Sequence, residues 1–162
     1  MAWSASKIFS AFITDSLAKT TLIDIKADTM NAALFDTSVT PDQTVTSANS
    51  AYGAGVWGAG HLTDTGTGAP AGWPTVGRPL VTPTITFATN VITFDAVDTV
   101  SGTATTTITA AFGTLIYSDT IATPVVDQGI AFLYFGGTQS VTLGTLTLVW
   151  AAPPDGLFKL TL

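Results

Sequence analysis

The stretch Ile85-Thr-Phe-Ala-Thr-Asn-Val-Ile-Thr-Phe94 constrains the fold of this chain more than any other. Its apolar side chains fall at every second position, the period of a strand with two unlike faces. Folded back on Thr89-Asn90, it sets Phe87 against Ile92 and Ile85 against Phe94, with Thr86 against Thr93 on the opposite side. A slip of one residue would move every side chain to the wrong face, so these matched pairs fix the register. A two-residue hairpin turn prefers Asn-Gly, and Asn90 tolerates the left-handed backbone that such a turn needs. The pattern predicts an antiparallel β protein.

The residues available for helices agree. All eleven acids are Asp, there is no Glu, and only four Lys are present. Solvated helix faces usually draw on Glu and Lys, which keep their rotamer freedom there. Thr, Val, Ile and Phe, which favour strands, are plentiful instead. Further strands are predicted at 103–109, 113–117, 130–135, 138–150 and 157–162, separated by turn signals such as Gly136-Gly137 and Pro153-Pro154-Asp155-Gly156. Short strands at this spacing predict a mainly β fold, an antiparallel β-sandwich or barrel-like domain. With 162 residues the chain suits one domain over 1–162.

Two segments stand outside the strand pattern. Over 4–19, Ile8, Phe9, Phe12, Ile13 and Leu17 recur at helical spacing and predict an N-terminal amphipathic helix, capped by Ser4 or Ser6. It could pack on the domain's own sheet or on a neighbouring subunit. Residues 52–80 form a long loop rich in Gly, Pro and Trp that carries His61, the sole histidine. A loop that long is either folded over the sheet or a contact surface. Between them, 28–36 reads as a strand buried on both faces.

In Val141-Thr-Leu143-Gly-Thr-Leu146-Thr-Leu148-Val-Trp150 the alternation changes parity at Gly144-Thr145. One extra residue in a β-bulge has that effect, and it would place Val141 and Leu143 on the same side as Leu146, Leu148 and Trp150.

Chemical motifs are weak. Gly53-Ala-Gly55-Val-Trp-Gly58 matches a dinucleotide fingerprint in letters only: no apolar strand precedes it, no helix follows, and Arg78 stands where the ribose-binding acid belongs. His61 has no marked nucleophile with it. The carboxylate pairs Asp95 and Asp98, and Asp119 and Asp127, flank strands where Asp ordinarily serves turns. The acids include no calcium-loop run. Without cysteine there is no thiolate metal site. No catalytic, cofactor or metal residue is expected. Trp57, Trp73, Tyr117, Tyr134 and Trp150 suit core and interface anchoring, with a sugar platform as the lesser reading. A net charge of −6 with scattered Lys and Arg argues against nucleic acid, and no apolar run is long enough for a membrane-spanning helix. The opening MAWSASKIFSAFI lacks the organisation of a signal peptide. Charged residues are only 10% of the chain, so a free monomer would expose much apolar or hydroxyl-covered surface, and some of it is expected to be buried against partner chains.

Several longer strings resemble structural proteins of tailed bacteriophages. They are Ala33-Leu-Phe-Asp-Thr-Ser-Val-Thr-Pro-Asp42, Ala71-Gly-Trp-Pro-Thr-Val-Gly-Arg-Pro-Leu80 and Val91-Ile-Thr-Phe-Asp-Ala-Val-Asp-Thr-Val-Ser-Gly102. The C-terminal half adds Tyr117-Ser-Asp119-Thr120, Phe135-Gly-Gly with Gln139-Ser-Val141, Gly144-Thr-Leu-Thr-Leu-Val-Trp150 and Asp155-Gly-Leu-Phe158. The sequence departs from the pattern at Pro153-Pro154, where a shorter, more polar turn belongs. The resemblance implies a non-enzymatic virion protein, of the minor capsid or decoration type on the phage head surface. A tail or fibre component is the second reading and a carbohydrate-binding module the third. It implies the major capsid protein and further copies of this chain as partners, in a homo-oligomer such as a trimer. The expected contact residues are Ile8, Phe9, Phe12, Tyr52, Trp57, His61 and Trp73.

Overall fold

A computed structural model describes residues 3–20, 23–153 and 155–162. Among these residues the chain is mainly β and antiparallel, with two short α-helices. In chain order the elements are β1 (Lys7–Ile8), α1 (Ser10–Leu17), β2 (Met30–Phe35), α2 (Ser47–Ser50), β3 (His61–Leu62), β4 (Arg78–Pro79), β5 (Val81–Ala88), β6 (Val91–Val97), β7 (Thr99–Val100), β8 (Thr106–Ser118), β9 (Gly129–Gly144), β10 (Thr147–Leu148) and β11 (Phe158–Thr161). The main sheet runs β1-β9-β8-β2-β3, with β4 also paired to β2. A second sheet runs β11-β6-β5, and β10 pairs with β7 in a two-stranded ribbon. The two larger sheets contribute to one hydrophobic core, a sandwich-like arrangement.

The central hairpin has the expected register: Ile85 opposes Phe94, Thr86 opposes Thr93 and Phe87 opposes Ile92. Thr89 and Asn90 have φ of 48° and 62°, the paired left-handed residues of a type I′ turn. All six residues of β2 are buried, as expected of a strand covered on both faces, and its one polar side chain, Asn31, donates to Tyr117 and Asp119.

The long strands differ from expectation. The segments predicted at 103–109 and 113–117 join into β8, which stays continuous because Ala110 takes φ 60° and absorbs a register shift. The segments at 130–135 and 138–150 are redistributed. Gly136 and Gly137 form an irregularity inside β9 instead of a turn, so β9 advances from Tyr134 to Gln139 while β8 steps only from Gly113 to Ala111. A second shift lies between Val141 and Gly144, and it is Leu143, not glycine, that takes positive φ, at 48°. The parity change is therefore real, but Leu143 turns outward to solvent and away from the core that holds Leu148. Past Gly144 the chain leaves the main sheet for β7, a change of sheet rather than a bend in one strand. The C-terminal strand appears as β11 on β6, while Pro154 lies outside the described residues.

The helix is shorter than the 4–19 expected. Its N-cap is Phe9, with no side-chain cap. The N–H of Phe9 donates to Ile130 O and that of Ser10 to Gln43 O, so tertiary pairing fixes where the helix starts. Ser6 caps nothing; its hydroxyl accepts from Tyr134 N. Asp15 anchors the helix by accepting from Ser47 Oγ and Gln128 Nε2 at 2.5 and 2.8 Å.

Candidate interaction surface

Four of the seven expected contact residues are buried in the chain's own core. Phe9, Phe12, Trp57 and Trp73 are closed to solvent and are corrected to core residues. Trp57 sits in a ring of edge-on contacts, its centroid 5.0 Å from Phe35, 5.8 Å from Trp3 and 6.0 Å from Phe9. Such pairs add to the large apolar area each ring removes from water. Trp3, which no periodic pattern marks, is a buried member of this cluster and donates its Nε1–H to Asp36 O.

The 52–80 loop is thereby folded over the main sheet. The Gly53–Gly58 motif forms a turn with a short 3-10 segment that delivers Trp57 inward, with no strand before it. His61 and Leu62 add β3 to β2, and Arg78 and Pro79 add β4. Asp64 closes the loop from inside. Its buried carboxylate accepts the backbone N–H groups of Gly66, Gly72 and Thr107 at 2.7, 3.1 and 2.8 Å. Burial pushes this carboxyl upward, but the three donors outweigh it and hold it below the ordinary range.

Tyr52, His61 and Ile8 are half-buried. Tyr52 stacks on Tyr117 at 4.7 Å and lies 4.8 Å from the His61 ring, which in turn lies against Phe35. His61 Nε2 is 2.7 Å from Trp57 O, a contact that ties the loop to itself. Tyr117 donates to Val76 O and accepts from Asn31 Nδ2, and burial pushes its phenol well above the usual range. Burial, followed by the nearby Asp119, raises Asp127. These groups join strand ends to loops, and each polar contact named here is within the protein.

The remaining acid pairs also serve the backbone. Asp95 accepts Ala96 N and Asp98 accepts Trp150 N, fastening the exit of β10. No group of three His, Cys, Asp or Glu side chains is placed to hold a metal among the described residues. Nor is any helix among them long and apolar enough to cross a membrane. Of the five aromatics suited to a sugar platform, Trp57, Trp73 and Tyr117 are buried, which removes them from that role. Tyr134 and Trp150 line an open cleft of about 440 Å³ with Gln139 and Phe135.

The open surface lies instead on the β11-β6-β5 sheet. Seven of the eight β5 residues are exposed and none is charged. The register makes its two faces unlike. Ile85, Phe87, Ile92, Phe94, Phe158 and Leu160 share one face, while Thr84, Thr86, Thr93, Asp95 and Lys159 share the other. The apolar face looks across a groove of about 510 Å³ to Phe12, Ile13, Leu17, Ile23 and Ile25. Sequence reasoning missed this groove, although the alternation of Ile23-Asp24-Ile25 was a signal for its far wall. No protein-family model, curated protein or solved structure matches the chain.

Proposed function

We propose that this chain is a non-enzymatic structural protein of a bacteriophage particle, of the type that decorates the outer surface of the head. One observation carries the reading: an uncharged, two-faced edge of sheet left open, on a domain whose conspicuous aromatics are spent on its own core. Such an edge is suited to lasting contact with neighbours, because apolar and hydroxyl-covered surface is stabilised by being covered and carries little desolvation cost. In this reading the threonine face, with Thr84 and Thr86, rests on the major capsid protein, and bound copies stabilise the shell by favouring its assembled state. The resemblance of the C-terminal strings to virion proteins supports the same assignment.

A tail or fibre component is the second reading. A tail-tube subunit would use a long extended arm, and the 52–80 segment is folded down by Trp57, Trp73 and Asp64, which favours the head. The test is cryo-EM of purified particles with immunogold labelling of this chain. Density and label over the head surface are expected. Label confined to the tail would overturn the decoration reading in favour of the second, and a chain missing from the particle would overturn both.

A further inference from the structure

We propose that the apolar face of the β11-β6-β5 sheet is a self-association surface, covered by the same face of a second copy in a two-fold dimer. The proposal does not rest on the particle reading.

Three observations carry it. The first is area. Five large apolar side chains around the groove stand open: Leu17 at 85%, Leu162 at 75%, Phe87 at 65%, Ile85 at 41% and Leu160 at 38% exposure. An aromatic side chain presents roughly 150–250 Å² and an aliphatic one somewhat less, so at these exposures the five leave on the order of 500 Å² of apolar surface uncovered. That is near the upper end for the largest patch on a monomer, about 300–600 Å². It is also more than half of the roughly 800 Å² that each partner contributes to a standard interface.

The second is shape. Phe87 stands proud beside the hairpin tip, and next to it the groove between α1, Ile23, Ile25 and the sheet is about 510 Å³, more than one ring fills. A projection and a recess on one patch are what a two-fold contact requires, since each copy offers its projection to the other's recess. Face-to-face packing of the two patches lets Phe87 of each copy enter the other's groove.

The third is charge. Among the described residues, Asp24 is the one ionisable side chain lining the groove, and its carboxylate is already engaged by the N–H groups of Lys26 and Ala27. A contact so poor in charge has nothing to offer a charged partner. The chain's net charge of −6 opposes self-association only through long-range repulsion, which salt screens.

The test is sedimentation velocity of the full chain from about 1 to 100 μM, a range that brackets dissociation constants in the micromolar region. A monomer–dimer equilibrium that tightens with added salt is expected. Phe87→Glu should raise the dissociation constant at least tenfold, and Leu17→Glu, on the other wall, should do the same. Val149→Glu, an exposed apolar position outside this groove, should leave it unchanged. Far-UV circular dichroism checks folding, and should one groove variant fail to fold, the other decides. A wild type that stays monomeric throughout the range, or forms trimers, overturns the proposal. So does a dimer that both groove variants leave intact, or one that salt weakens, the mark of a charge-paired contact.

Discussion

Replacing Asp64 should cost this protein more than replacing any other acid, and the cost can be worked from three hydrogen bonds. The carboxylate is 2% exposed and accepts the N–H groups of Gly66, Gly72 and Thr107. Asp64→Ala leaves all three donors without their acceptor, each worth about 1–3 kcal/mol when buried and unmade. Because Gly66 and Thr107 lie on the partly buried side, water recovers some of this, and the low end applies. The total is roughly 3–4 kcal/mol, a large share of the roughly 5–15 kcal/mol that holds a domain together. Asp64→Asn keeps one acceptor oxygen but turns an amide donor towards a backbone donor, and should cost about 2 kcal/mol. In urea unfolding with an m value near 2 kcal/mol/M, the alanine variant should lose roughly 1.5–2 M in midpoint at unchanged m. The pH dependence has a definite sign. The folded carboxyl sits below its unfolded value, so its contribution is present above about pH 4 and is lost as pH falls through the folded value. The gap between wild type and Asp64→Asn should therefore narrow below pH 4. A midpoint shift under about 0.5 M for alanine, or a gap that widens in acid, would refute the reasoning.

Other perturbations have equally direct readouts. At Gly113 an added Cβ would lie 2.3 Å from the Trp3 ring and 2.6 Å from Leu133 O, so Gly113→Ala should cost about 2–3 kcal/mol by thermal or urea unfolding. Thr89 is β-branched at φ 48°, so the double change Thr89→Asn, Asn90→Gly should stabilise by about 1 kcal/mol in the same assay, through a better type I′ turn. The raised Tyr117 phenol favours the folded state below about pH 10 and ceases to as pH climbs further. Ultraviolet titration of the three tyrosines should accordingly show one that ionises only with alkaline unfolding, and Tyr117→Phe should abolish that late step.

What could be foreseen from the sequence was what local pairing decides. The hairpin at 85–94 was legible because its partners are neighbours in the chain and match in chemistry, and β2 because five of its six residues are apolar. Position within long strands was not legible. Gly136-Gly137 carries the same signal whether it makes a turn or an irregularity, and the choice falls to the β8 pairing that continues on both sides. The helix start was hidden for a similar reason, since the acceptor that fixes it, Ile130 O, lies far along the chain. The aromatics were misjudged for another. Trp57 and Trp73 stand in a glycine-rich loop whether that loop folds inward or reaches outward, and only the buried Asp64 and its three donors decide between the two. The open groove combines walls from 12–25 and 85–160, a juxtaposition no local pattern contains.

The pairing of β1 with β9 sets a condition on the order in which this protein can acquire its structure. Lys7 pairs with Phe132, and Phe9 packs on Phe132 with centroids 5.4 Å apart. On the ribosome, Trp3 and Phe9 must therefore wait for Phe132, one of their ring partners, until β9 has been made. Contacts this distant in sequence are slow to form because the loop they close must be ordered first. An early hydrophobic segment with a late partner is a window for misassociation, and a host expressing this chain should yield more of it when nascent-chain chaperones are abundant.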